Sequence, residues 1–222
     1  MNQQGARLLY NNAVNTFKAA GVSTAKAVLS QSYLRFEVNL STAQTQYTFD
    51  TLVNENLNPN FITQNKLNLQ DSFLIGRIGF FVGIAASANT TETVVPLYTY
   101  NDAHAFTTTG AATSLETLYN GSMSFTVNQR TIVTSWDLYK HKVAPITQSG
   151  YQPYTGATTI YANSNNYGHD GYYPVEPNLI LIGSKKNQIT VTLDQSLTAI
   201  QANSRLIMVC QGILGQNCTS VR

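Results

Sequence analysis

The sequence has 222 residues, enough for one large β-sandwich or for two domains of about 100 residues each. Only 13 residues are basic and 11 acidic, about half the usual charged share, and the net charge is +2. Asn, Thr, Gln and Ser supply 80 residues, so the exposed surface is mostly neutral and copies of the chain repel one another weakly. This composition favours a protein that packs against its own copies, and it disfavours nucleic-acid recognition through a strongly basic surface.

The N-terminus lacks the apolar core and cleavage pattern of a signal peptide, which predicts synthesis in a cytoplasm. The most apolar window, residues 73–88, is interrupted by Arg77 and is too short to span a membrane. Cys210 and Cys218 form no Cys-x-x-Cys pair, so neither a disulfide framework nor a structural zinc site is expected. Cys210 lies in an apolar run, where a free thiol acts as a small buried hydrophobe, and whether it meets Cys218 is open.

Residues 1–30 differ in pattern from the rest and are predicted to form an N-terminal helical arm. The apolar positions of the first helix recur at steps of three and four, the spacing of one helical face; they are Ala6, Tyr10, Ala13, Phe17 and Ala20. Gly21 provides a stop, and a second short helical stretch is predicted from Ser23 through Leu29.

The arm is basic. Residues 1–36 contain no Asp or Glu, and they contain four basic residues, Arg7, Lys18, Lys26 and Arg35. A helix with an apolar stripe and basic flanks can lie on an anionic membrane or touch nucleic acid without sequence specificity. Arg7, Lys18 and Lys26 are the residues expected to face such a partner. The alternative is a helix that packs on its own domain with its lysines in solvent.

From residue 33 onward, apolar and polar residues alternate, as in half-buried strands. The alternation begins with Leu34, Phe36, Val38 and Leu40 on the side expected to face the core and Arg35, Glu37 and Asn39 on the polar side. Ten strands are predicted, at 34–40, 46–52, 72–85, 93–98, 122–127, 130–135, 158–162, 178–182, 188–193 and 205–214. Because no helical period is recognised after residue 30, the pattern predicts an all-β fold, an antiparallel sandwich or barrel. Ten strands fit one elaborated jelly roll, and two very compact jelly rolls also fit the length.

The residues offer little material for catalysis, because three histidines and 11 carboxylates are spread singly along the chain. His169 and Asp170 are adjacent between glycines, which indicates a loop tip rather than a site; His104 and His141 are interpreted in the same way. No catalytic, cofactor-binding or metal-binding residue is predicted.

Tyrosines crowd one polar stretch of the second half and form the only candidate binding loop. They are Tyr151, Tyr154, Tyr161, Tyr167, Tyr172 and Tyr173. The loop could contact a neighbouring subunit or a sugar.

Three segments, residues 68–84, 130–148 and 205–217, resemble coat proteins of icosahedral, lipid-containing bacteriophages of the single-stranded-DNA type that infect flavobacteria. The resemblance implies a double jelly roll, here with a first jelly roll over 31–127 and a second over 128–222. It also implies a homotrimeric capsomer, a shell that encloses a membrane, and an N-terminal helix on the inner side. The chain is short for that family, and a single-jelly-roll vertex or coat protein is the alternative.

The function expected from residues and resemblance together is a non-enzymatic major capsid subunit. It would be made in the host cytoplasm and located in the virion. Its partners would be its own copies, other virion proteins and internal membrane lipid. A receptor- or carbohydrate-binding module, such as a phage spike or fibre tip, is the second hypothesis, and an enzyme the third.

Overall fold

The computed structural model describes residues 3–40, 43–53, 61–92, 95–99, 106–143, 171–197 and 200–218. It is mostly β, with two α-helices and one 3-10 turn. The elements are, in chain order, α1 (Gln3–Ala19), β1 (Val28–Asn39), β2 (Gln46–Phe49), β3 (Ser72–Ile84), β4 (Leu97–Tyr98), α2 (Ala111–Tyr119), β5 (Ser122–Val127), β6 (Arg130–Asp137), the 3-10 turn Leu138–His141, β7 (Tyr172–Ile182), β8 (Asn187–Thr192) and β9 (Ser204–Gln216).

The strands form two antiparallel sheets. In the five-stranded sheet the order is β1-β9-β3, and the far edge of β3 pairs with β7 along one part and with the short β4 along another. In the four-stranded sheet the order is β2-β8-β5-β6. The sheets face each other across one core, as in a β-sandwich. Each strand contributes alternate residues to it, for example Leu34, Phe36 and Val38 of β1 and Leu206, Met208 and Cys210 of β9.

Both sheets draw strands from both predicted jelly-roll domains, 31–127 and 128–222. β1 pairs with β9 over 12 residues, β2 and β5 both pair with β8, and β3 lies between β7 and β9. The described strands therefore form one sandwich rather than the two that were expected side by side. The alternating pattern could not predict which strands pair. It indicates the buried face of each strand but not the identity of the neighbouring strand.

Eight of the ten predicted strands lie wholly on described residues, and each overlaps an observed strand. The predicted strand 93–98 lies only partly on described residues and is observed as the two-residue β4, and the predicted strand 158–162 lies outside the described residues. The second helical stretch predicted from Ser23 through Leu29 is wrong, because β1 begins at Val28 and extends the pairing with β9. α2 was also missed. Its buried residues follow the helical spacing i, i+4, i+7 and i+8, but the preceding Thr/Gly-rich stretch obscured it; they are Ala111, Leu115, Leu118 and Tyr119.

α1 ends where the sequence indicates. Gly21 adopts a left-handed conformation with φ of 76°, which costs glycine little. Its N–H donates to the carbonyl of Lys18 at 3.0 Å, and the N–H of Val22 donates to the carbonyl of Phe17 at 2.9 Å. These two bonds form a Schellman motif, with the accompanying apolar pair in Phe17 and Val22, both buried. No helix in the described part of the chain is long and apolar enough to cross a membrane.

Candidate binding and assembly surfaces

The second half of α1 packs on the outer face of the five-stranded sheet. Ala13 and Phe17 are 1% and 0% exposed. They belong to a cluster with Leu74 of β3 and Ile182 of β7 that is separate from the main core. A buried phenylalanine of this kind contributes about 1.5–3 kcal/mol, so the helix is held to its own domain by its apolar stripe.

The basic residues of the arm are only partly accounted for. Lys18, at the end of α1, and Lys26, just before β1, are both exposed to solvent. Arg7 lies within α1, but its side chain is outside the described part of the structure. Lys18 and Lys26 therefore remain accessible to a partner although the helix itself is packed.

The tyrosine loop is described only at its end. Tyr172 and Tyr173 open β7 and are half-buried, whereas Tyr151, Tyr154 and Tyr167 lie outside the described residues, as does Tyr161. The ring of Tyr172 meets that of Phe81 edge to face, with centroids 5.3 Å apart. Tyr173 meets the ring of His141 edge to face at 5.4 Å. The two tyrosines point to different surroundings and do not form one site.

His141 is fully buried and holds together three elements. Its Nε2 accepts a hydrogen bond from the indole Nε1 of Trp136 at 2.8 Å, and its Nδ1 donates to the carbonyl of Gly171 at 2.7 Å. Both ring nitrogens are thus occupied in the neutral tautomer. Burial lowers the pKa of His141 to about 4, because desolvation penalises the imidazolium. The sequence interpretation of His141 as a residue without a catalytic role stays a prediction.

A groove of about 850 Å³ crosses the outer face of the five-stranded sheet. Register places Tyr33 of β1 beside Gln211 of β9, and Arg35 beside Val209 in the next row. The same row continues through Gly79 of β3 to Tyr172 of β7. Its ring lies against Gly79 of β3, where an added Cβ would come within 2.9 Å of it. The remaining lining comes from the 62–65 segment and from Leu97, and none of the described lining residues is acidic.

A buried ion cluster lies beside the groove. Glu37, 1% exposed, accepts from Arg35 Nε at 2.7 Å through Oε1 and from Arg205 Nη1 at 3.3 Å through Oε2. The hydroxyl of Thr63 also donates to Oε1. The guanidinium of Arg205 stacks 3.9 Å above the ring of Phe61. The cluster ties the 61–65 segment onto the sheet face and so forms one wall of the groove.

β6 is the exposed edge of the four-stranded sheet. Among the described residues it pairs only with β5. Residues 131–135 are Thr-Ile-Val-Thr-Ser, with no charge and no proline, and all but Val133 are exposed. The strand is held in place by a two-residue turn in which Asn128 and Gln129 both have positive φ, the requirement of a type I′ hairpin.

Among the described residues, no three His, Cys, Asp or Glu side chains come together as a metal site would require. His104, His169 and Asp170 lie outside those residues. No family model matches the chain, no curated protein is significantly similar in sequence, and no solved structure is significantly similar in fold.

Sequence reasoning missed the groove and the ion cluster. One signal was available: Arg35 and Glu37 alternate with the core residues of β1 and so had to share the outer face of that strand. Their burial could not be foreseen, since it depends on residues 61–65 and on Arg205, which join them only through the fold.

Proposed function

We propose that this chain is a structural subunit that assembles with its own copies into a closed shell, with a single jelly roll as its body. Strand order supports the jelly roll. Without the two-residue β4, eight strands remain, and the sheets run first-eighth-third-sixth and second-seventh-fourth-fifth. Two sheets in this order arise when an antiparallel ribbon folds over as two Greek keys, the arrangement found in viral capsid and lectin domains.

Self-assembly is carried by one observation, the outer edge of β6, with which no other described strand pairs. Natural proteins usually protect an exposed edge strand with Lys, Pro or a bulge turned outward, because its free N–H and C=O groups pair readily with another chain. The stretch 131–135 has no charge and no proline, so two of these three devices are missing. The third is present, because the pairing of β6 with β5 shifts register twice along this stretch, and the edge is therefore only partly protected. Its exposed Ile132 would be covered by a neighbouring strand.

Symmetry links this edge to a ring of subunits. The opposite edge of the same sheet is β2, so contact between β6 of one copy and β2 of the next would be heterologous and could close a ring such as the expected trimer. Each contact can be weak, because a closed shell multiplies it over many copies. Within a virion, Lys18 and Lys26 would meet an anionic lipid or nucleic-acid surface inside the shell.

The test is the mass of the protein in solution, measured by light scattering coupled to size exclusion across a concentration series. The wild type is expected to form trimers or larger particles of its 24.3 kDa chain. The double variant Ile132→Lys, Thr134→Lys places two charges on the β6 edge and is expected to remain monomeric. Thr113→Lys, on the exposed side of α2, is the matched control and should assemble as the wild type does.

Circular dichroism and thermal unfolding establish that each variant is folded before its mass is interpreted. A wild type that stays monomeric at every concentration contradicts the proposal. A double variant that is folded and assembles normally would show that β6 is not the contact.

A carbohydrate-binding module is the second candidate. The groove on the five-stranded sheet favours it, because it brings together tyrosine rings, amides and a guanidinium on one surface.

A further inference from the structure

The buried cluster beside the groove carries an excess positive charge. Two guanidiniums, of Arg35 and Arg205, share the single carboxylate of Glu37. Only 17% of the Arg35 side chain and 3% of the Arg205 side chain are exposed. Charges removed from water in this way are normally matched by an opposite charge. The cluster therefore has a net charge of +1 from two guanidiniums and one carboxylate, and it lacks one counter-charge.

Arg35 is the charged member of the cluster that lines the groove. Its Nε is bonded to Glu37, while its Nη2 is buried with no hydrogen-bond partner among the described residues. An unpaired donor on a charged group costs more than an unpaired neutral one. Arg77 adds charge nearby, because it is exposed and lies beside Gln211 in the register of β3 with β9.

We infer that the groove binds an acidic oligosaccharide, with the carboxylate of one sugar at Arg35 and a neighbouring sugar ring against Tyr33. A carboxylate forms strong, charge-assisted hydrogen bonds with a guanidinium. Because Nη2 is itself buried, the Arg35 side chain must turn toward the groove for the sugar carboxylate to reach that nitrogen. Tyr33 is 53% exposed and presents a flat apolar ring with a hydroxyl at its end. Gln211, also exposed, can donate to and accept from sugar hydroxyls.

The same geometry disfavours a peptide. A peptide would bind here most simply as an added strand along β1, but that edge is occupied at the groove. Arg35 N–H donates to the carbonyl of Asn65, and Asn65 N–H donates to the carbonyl of Arg35, both at 2.9 Å. The volume of about 850 Å³ falls in the range of small-ligand sites and suits a few sugar units.

The probe is tetragalacturonate, a chain of four uronic acids, with maltotetraose as its neutral counterpart, both titrated into the full chain by isothermal calorimetry. We expect tetragalacturonate to bind at millimolar concentration or below and to weaken as salt is added. Maltotetraose is expected to bind at least about tenfold more weakly. This inference does not depend on shell assembly, since binding is measured per subunit at a fixed oligomeric state.

Two variants locate the site. Tyr33→Ala removes the exposed ring, and Arg35→Gln removes the guanidinium while leaving Glu37 paired one to one with Arg205; each is expected to weaken tetragalacturonate binding at least about tenfold. Tyr139→Ala removes an equally exposed tyrosine, 57%, in the 3-10 turn and should bind as the wild type does. The inference is overturned by no binding of tetragalacturonate, by equal binding of maltotetraose, by normal binding in both groove variants, or by loss in the Tyr139 control.

Discussion

Acidification should destabilise the protein through His141. The imidazole is fully buried between Trp136 and the carbonyl of Gly171, and burial lowers its pKa to about 4 from 6.5. In the unfolded chain the same ring takes up a proton near pH 6.5. The stability that the neutral ring provides is therefore complete above pH 6.5 and is lost as the pH falls through the folded-state pKa.

The size of this loss follows from proton linkage. A pKa difference of about 2.5 units corresponds to about 3.4 kcal/mol, of which about 2 kcal/mol is lost by pH 5 and about 3 kcal/mol by pH 4. A domain of this size has a total stability of about 5–15 kcal/mol. The stability lost on protonation of this one ring is thus a large share of the total.

Urea unfolding, followed through the fluorescence of the single tryptophan, measures the effect between pH 7.5 and pH 4. His141→Gln is expected to lose about 1–3 kcal/mol at pH 7.5, because the partners of the ring are only partly satisfied. From there to pH 4 its free energy of unfolding should fall by about 3 kcal/mol less than that of the wild type. The double variant His104→Gln, His169→Gln is the control. Parallel pH curves for the wild type and His141→Gln would refute the reasoning.

Three further predictions concern the core, the helix and the ion cluster. Phe17→Ala should cost about 3 kcal/mol and expose α1 to limited proteolysis, whereas Tyr10→Ala, at a position 54% exposed, should change the free energy of unfolding by less than about 0.5 kcal/mol. Glu37→Gln should destabilise the fold by about 3–5 kcal/mol in urea unfolding, because it leaves the buried guanidinium of Arg205 and the largely buried one of Arg35 without a counter-charge, and more than Arg35→Gln does; equal losses would contradict the charge count. Burial raises the pKa of the Cys210 thiol, so iodoacetamide should modify it only after unfolding, and mass spectrometry that finds it alkylated in the native protein would count against its burial.

The strands could be predicted because they are local patterns. β5 is found at the predicted bounds and β3 to within one residue, since each alternates or concentrates apolar residues between clear turns. β1 is instructive. Leu34, Phe36 and Val38 were expected to face the core and do, but the strand begins six residues earlier than the alternation. The first half of β1 is mostly exposed and is held by main-chain hydrogen bonds to β9. Such pairing does not require apolar side chains, so the sequence pattern does not indicate it.

What could not be predicted depends on residues that are far apart in the chain. The single sandwich follows from pairs such as β1 with β9 and β2 with β8, whose sequence separation no local pattern encodes. The groove and its ion cluster have the same origin. Glu37 was expected on the polar side of its strand and lies there, yet it is buried, because Thr63 and Arg205 arrive from two other parts of the chain. The resemblance to double-jelly-roll coat proteins gave an expectation about subunit architecture that the strand pairing does not follow.

The two proposals constrain each other, because α1 and the groove share the outer face of the five-stranded sheet. Alternate residues of β9 link the two features, because they lie on the same side of the strand. Val209 and Gln211 line the groove, and Ile213 packs under α1. If that face points into the shell, Lys18 and Lys26 reach the interior and only dissociated subunits bind tetragalacturonate. If assembled particles bind it, the face and α1 point outward, and the basic residues cannot serve an internal membrane. Binding measured on intact particles and on monomeric β6-edge variants therefore gives the orientation of the subunit.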